Sequence, residues 1–409
     1  MTYDLLLKGG HLIDPKNAIN GSRDIAVKNG KVAAVEPSIA AEQAERVIDV
    51  DGLYLTPGLV DIHMHAYATP GHPNEWAGDN SILPDGFSFR TGVTTMVDTG
   101  SAGWRNFEDF RFRVIDRCQT RLFALINIAG TGMTSTDHEQ NTFDMDTDKV
   151  AAMAKKHSDV VVGIKTAHFY GPEWTSVDRC IEAAEKADLP VMIDFGFFKK
   201  ERPFYQLLGE KLRPGDIATH IFRGPVPWFD AEGKVLEYLH QARERGVILD
   251  VGHGGGSFCF RNAAPAVAQG FYPDSISTDL HVGCMNMGML DMVTTMSKFL
   301  VMGMPLNEVV RASTINPANK ISHPELGHLS VGAVADIALL NLEEGQFGYA
   351  DSFGGKLEGS QRLTCELTLK DGEVVWDWNG RSARDYKQLD KHYGVREGEF
   401  LVLPPSKAS

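Results

Sequence analysis

The chain has 409 residues, 43% of them hydrophobic and 23% charged, an ordinary globular balance with enough length for a large core and a second module. Its formal net charge of −14, without any Lys/Arg run, argues against nucleic acid or an anionic membrane as partner and points to a small molecule. No stretch approaches the ~20 apolar residues of a membrane span, and the short apolar part of the N-terminus does not make a signal peptide, so a cytoplasmic protein is expected.

Five cysteines, Cys118, Cys180, Cys259, Cys284 and Cys365, are scattered without a CxxC spacing, which suits reduced thiols better than a disulfide framework. From the N-terminus, the segment 24–35 reads as a hairpin, because Asn29-Gly30 supplies the positive φ angles of a tight turn between two apolar runs. Next comes Pro57-Gly58, then an apolar run closing on Val60-Asp61-Ile62-His63-Met64-His65. Residues two apart on a strand share a face, so both imidazoles can reach one divalent metal. Eight short apolar runs follow one another at 55–65, 94–99, 122–129, 160–166, 190–195, 217–222, 247–252 and 275–280. Segments of helical periodicity fill several gaps, clearest at 149–156, 178–187 and 234–243. A further strand at 335–341 and a second hairpin at 365–376, turning on Asp371-Gly372, complete the ordered chain. A charged, then Pro-rich tail follows residue 389.

Strand and helix alternating eight times predict an α/β fold, a (β/α)8 TIM barrel. The strand-rich ends are each too small to bury a core, so they are expected to pair into a small β-sandwich built from both chain termini. The expected boundaries are 1–53 and 332–388 for the sandwich, 54–331 for the barrel and 389–409 for the tail. Such barrels keep their chemistry at the C-terminal ends of the strands, and polar residues stand there: His63 and His65, Lys165, Asp194, His220, His253 and Asp279. An ammonium beside clustered histidines would repel a cation, so Lys165 is expected to be either deprotonated by burial or carbamylated into a bridging carboxylate. Asp279 suits two tasks, metal ligand and general base.

This order of His-x-His, strand-four Lys, strand-six His and strand-eight Asp resembles the amidohydrolase superfamily. The likeness extends over almost the whole chain, including the segments 56–61, 312–320 and 332–337. Gly163-Ile164-Lys165 and the segments 214–220 and 250–258 are most similar to its deacetylase and dihydroorotase-like metallohydrolases. The resemblance implies that His63, His65 and Asp279 hold one metal, while carbamylated Lys165 bridges to a second held also by His220. It further implies that a metal-activated hydroxide attacks an amide or ester carbonyl, with Asp279 taking the proton and returning it to the leaving group. His253 is then expected to contact a small, carboxylate-bearing substrate. One position departs from the pattern, because Asp194 stands where dinuclear relatives usually carry a histidine; it is expected to be a ligand, or else to hydrogen-bond nearby in a single-metal site.

Mixed imidazole and carboxylate ligands suit zinc, one or two ions, and tolerate manganese or cobalt. Met133, His168, Tyr170 and Arg223 are candidate substrate contacts, and specificity is expected to lie in loops such as 66–79, 130–143 and 222–229. The Gly-rich stretch 254–257 is read as room for substrate. A homo-oligomer is the expected state. Two alternatives stand beside the deacylase: a cyclic-amide hydrolase of the dihydroorotase or hydantoinase kind, and a barrel without catalysis that serves as a scaffold.

Overall fold

The computed structural model describes residues 2–69 and 75–403; part of the loop 66–79 and the end of the tail lie outside them. Both termini contribute to one sheet of eight strands. Its order runs Glu373–Asp377, Lys356–Lys370, Ile337–Ala350, Tyr54–Pro57, Tyr3–Asp14, Ile19–Lys28, Lys31–Glu36, with Ala44–Asp49 also pairing with Tyr3–Asp14. Both expected hairpins form, with Asn29 and Gly30 at φ 50° and 73° and Asp371 and Gly372 at φ 51° and 84°. The two turns meet: the Ala335 N–H donates to Gly30 O and the Gly372 N–H to Ala335 O. Leu5, Leu7, Ile25 and Val27 from one end share a buried cluster with Ile337, Leu339, Leu367 and Leu369 from the other. The ends therefore join through a single continuous hydrogen-bonded sheet.

The first apolar run divides where the two sheets meet. Tyr54–Pro57 lies in the terminal sheet, with Leu55 opposite both Leu12 and Leu339. Leu59–Met64 begins the barrel. Gly58 is the crossing point, since a Cβ there would lie 2.2 Å from Thr94 Oγ1, closer than atoms pack.

Seven parallel strands follow in sequence order, Leu59–Met64, Val93–Gly103, Arg121–Asn127, Val161–Thr166, Val191–Ile193, Ile217–Ala218 and Ile248–Leu249. The eighth run is corrected: 275–280 forms no extended ladder and closes the ring through two parallel bridges, Asp250 to Ser275 and Met64 to Leu280. The cause is local. The Thr278 N–H donates 3.1 Å to the Asp61 carboxylate rather than to a neighbouring strand, and Asp279 turns into the left-handed region at φ 54°. Val97, Leu125, Met192, Ile217 and Ile248 come from five different strands into one buried cluster, which can only be the interior of the ring. Helices Thr147–Lys156, Thr175–Ala187 and Glu237–Glu244 bury one face each against the outside. The last starts later than its periodicity suggests, because Val235 is taken up by a bridge to Phe229.

Candidate metal centre

Four strand ends deliver polar side chains to one cavity of about 420 Å³. His63 and His65 follow from the first strand, and their Nε2 atoms lie 3.5 and 3.1 Å from the same Asp279 Oδ1. Among the described residues, His63, His65 and Asp279 form a group whose ligand atoms all lie within 4.8 Å of one another. Each ring is held by its other nitrogen, His63 Nδ1 at 2.9 Å from Thr219 Oγ1 and His65 Nδ1 at 3.0 Å from Ser101 Oγ. The Thr219 hydroxyl donates its proton to Asp250 Oδ2 at 2.7 Å, so it must accept from His63 Nδ1–H. That leaves the Nε2 lone pair aimed into the cavity. Such tethers fix tautomer and orientation in metal-binding histidines.

The charge states fit a cation as well. Burial, with the neighbouring Lys165, pushes His63 down to about 3, so the imidazole is neutral at ordinary pH. Burial would raise the Asp279 carboxyl, but His63 and His281 outweigh it and hold it well below the carboxylate range. Two neutral imidazoles and an ionised carboxylate, all buried and converging, form a donor set that suits a divalent ion.

Lys165 is 1% exposed with Nζ 3.5 Å from His63 Nε2. Burial pushes its ammonium below the ordinary lysine value despite Asp194, Asp279 and Asp250 around it. Gly100 has to be glycine, at φ 85° and with a would-be Cβ 2.8 Å from the Lys165 stem. Opposite, Asp194 Oδ2 lies 3.7 Å from His220 Nε2 and 3.5 Å from His168 Nε2. Its other oxygen accepts from the Gly196 N–H at 2.9 Å and faces Arg223 at 3.7 Å. His220 is tethered like the first pair, donating Nδ1–H to Gly252 O at 2.6 Å. His168, His220 and Asp279 all adopt positive φ, at 51°, 59° and 54°, so backbone strain concentrates where these side chains turn inward.

Met133, His168 and Arg223 line the cavity, whereas Tyr170 does not, resting instead edge-on against Phe197 at 4.4 Å. His253 is also outside the cavity wall. It is 0% exposed, stacks on Phe258 at 4.3 Å, and has both nitrogens engaged, Nδ1 with Gly254 O and Nε2 with Lys298 Nζ at 2.7 Å. The following glycines serve partly as expected, since Gly255 and Gly256 line the cavity. Gly254 instead makes room for Asp279, whose Oδ2 would be 2.3 Å from a Cβ.

Several residues escaped the sequence reading. Trp76, Phe197 and Met287 give the cavity an apolar wall, and Asn80 and His281 add polar groups. His281, two residues beyond Asp279, carried a signal in its proximity to a candidate ligand. Glu139, buried and paired with His168, carried none.

The amidohydrolase family model matches residues 260–375. A deacetylase of Agrobacterium fabrum is 36% identical over 351 residues, covering 83% of each chain. Among solved structures, an adenine deaminase superposes with TM-score 0.82 at 27% identity over 92% of this chain and 100% of its own. A dihydroorotase superposes with TM-score 0.79 at 32% identity over 91% and 99%. The chain belongs to the amidohydrolase family and is a hydrolase acting on C–N bonds.

Proposed function

We propose that this member of the amidohydrolase family is a metal-dependent deacylase, hydrolysing an amide or ester of a small, carboxylate-bearing molecule. The observation that carries the reading is the convergence of tethered His63 and His65 on one oxygen of Asp279. These three would hold one divalent ion, and Lys165, Asp194 and His220 line the adjoining space for a second. Zinc suits the donors, with manganese or cobalt as substitutes. A divalent ion bound there acidifies water and polarises the scissile carbonyl.

The residues supply the rest. Asp279 is ionised and faces the cavity, ready to take a proton at Oδ2 and pass it to the leaving group. Burial pushes the Lys165 ammonium below its ordinary value; once deprotonated, the amine adds carbon dioxide and loses a proton, giving a carbamate that could bridge two ions. Arg223, at the cavity wall, pairs with a substrate carboxylate, while Trp76, Met133, Phe197 and Met287 receive the apolar part. His253 acts at a distance, as a packing and positioning residue beneath the 254–257 loop.

The strands of 1–53 and 332–388, joined by Tyr54–Pro57, form, on this reading, one module, folded over as a small β-sandwich, so that the barrel begins after Pro57 rather than at the expected residue 54 and runs to 331, with 389–409 as a tail. The shared cluster of both ends supports that arrangement. All five cysteines are free, which supports a cytoplasmic setting, and a homo-oligomer is the expected assembly. No helix among the described residues is long and apolar enough to cross a membrane.

The 32% identical dihydroorotase structure favours a second reading, hydrolysis of a cyclic amide. Turnover of N-acyl amino acids, O-acyl hydroxy acids and cyclic amides by zinc-reconstituted protein separates the two. Metal-free protein should be inactive and regain turnover with zinc; full activity after exhaustive chelation refutes the metal reading, and inactivity toward every class would leave the scaffold.

A further inference from the structure

The cavity holds one more histidine built like a ligand. His168 lies two residues beyond the strand Val161–Thr166, and its Nδ1 sits 3.0 and 3.2 Å from the two oxygens of Glu139. Glu139 is 4% exposed, and an isolated carboxylate at such a depth would be costly. The tether turns His168 Nε2 toward Asp194 Oδ2, the same oxygen that faces His220 Nε2. We propose that His168, oriented by Glu139, is a metal ligand that completes with Asp194 and His220 a second ion site beside His63, His65 and Asp279.

Three comparisons within the molecule support the assignment. His63, His65 and His220 share its design, with Nδ1 fixed by a protein group and Nε2 facing the cavity. A carboxylate behind a metal-bound imidazole is a recurrent way to fix its tautomer. His168 also shares the left-handed backbone of His220 and Asp279, a conformation that costs an L-residue about 1–3 kcal/mol and places the side chain over the ring. His281 differs, because the nitrogen it brings toward the Asp279 carboxylate, at 3.7 Å, is the already bonded Nδ1. His253 differs too, having both nitrogens occupied.

Glu139 and Asp194 are both buried and lie on either side of the His168 ring. A proton on His168 offsets the pair in the free chain, and a cation between His168 and Asp194 takes its place. The set is more open than the first: ligand atoms around a zinc ion sit about 3.3 Å apart, against 3.5 and 3.7 Å from Asp194 Oδ2 to the two rings, and the three do not converge within 4.8 Å as His63, His65 and Asp279 do. Ion binding therefore draws the rings inward.

The inference rests on the cavity being a metal centre, and the test separates the two claims. Zinc content is measured on the full chain equilibrated with buffered zinc, and affinities come from competition with a chromophoric chelator. Wild type should bind two ions per chain, and His168→Ala should keep the tighter ion and lose the other. His168→Asn, which tolerates the left-handed backbone, should show the same loss with an unchanged circular dichroism spectrum. Glu139→Gln should keep both ions at saturation, with the weaker one bound about 10–100-fold less tightly. Two ions in His168→Ala with wild-type affinities, or a single ion in wild type, overturns the proposal alone. No zinc in wild type overturns the metal-centre reading with it.

Discussion

The hydroxyl of Thr219 is the smallest group on which the metal centre depends, and Thr219→Val removes it with little change of shape. It donates 2.7 Å to Asp250 and accepts 2.9 Å from His63 Nδ1. Without it, His63 Nδ1–H faces Asp250 Oδ2 at 3.7 Å, beyond hydrogen-bond length. Asp250 keeps its bonds from Ser275 and Ser277, so the network loosens without collapsing. An unmatched buried donor costs about 1–3 kcal/mol of fold stability. Loss of the partner behind a metal-binding imidazole typically weakens metal about 10–100-fold, equivalent to about 1.4–2.8 kcal/mol. Zinc affinity is measured by chelator competition in wild type, Thr219→Val and Thr219→Ser, where the serine restores the hydroxyl and should restore binding. If Thr219→Val binds zinc as tightly as wild type, His63 is not held as a ligand in the way described.

Asp279→Asn should lower kcat by about 10²–10⁴-fold with zinc still bound, as checked by steady-state kinetics and metal analysis; near-normal kcat would remove this carboxylate from proton transfer. Gly100→Ala places a Cβ 2.8 Å from the Lys165 side chain at φ 85° and should destabilise by about 1–3 kcal/mol, read as a lower denaturation midpoint; an unchanged midpoint would mean that the strand end yields freely. Lys298 is pushed down to about 7 by burial, so between there and its unfolded value near 10.4 the unfolded chain binds more protons. Stability should therefore rise with pH across that window in wild type relative to Lys298→Met, and a difference that stays flat from pH 7 to pH 10 in urea titrations would contradict the burial argument.

Much of this protein could be read from order along the chain. Asn29-Gly30 and Asp371-Gly372 announced their hairpins because positive φ is a local requirement. The His63, His65, Lys165, Asp194, His220 and Asp279 series was legible because a barrel places successive strand ends on one rim, and all six line one cavity. Position along a strand told less about residues in the loops between. His253 stands at a strand end too, yet it turns away to stack on Phe258 and bond to Lys298, a partner 45 residues distant whose contact no local pattern encodes.

Tertiary structure alone decided how the histidines are oriented. Which nitrogen faces the cavity depends on Thr219, Ser101, Gly252 and Glu139, each brought from a different part of the chain. Hydrogen-bond direction is set by such long-range partners, whereas ligand identity and strand order are local. The eighth run shows the same division: its apolar pattern is that of a strand, but Asp61 and Asp250 capture its polar groups. Sequence determined which residues reach the rim; the packing of distant hydroxyls, carbonyls and carboxylates behind them decided which atoms meet.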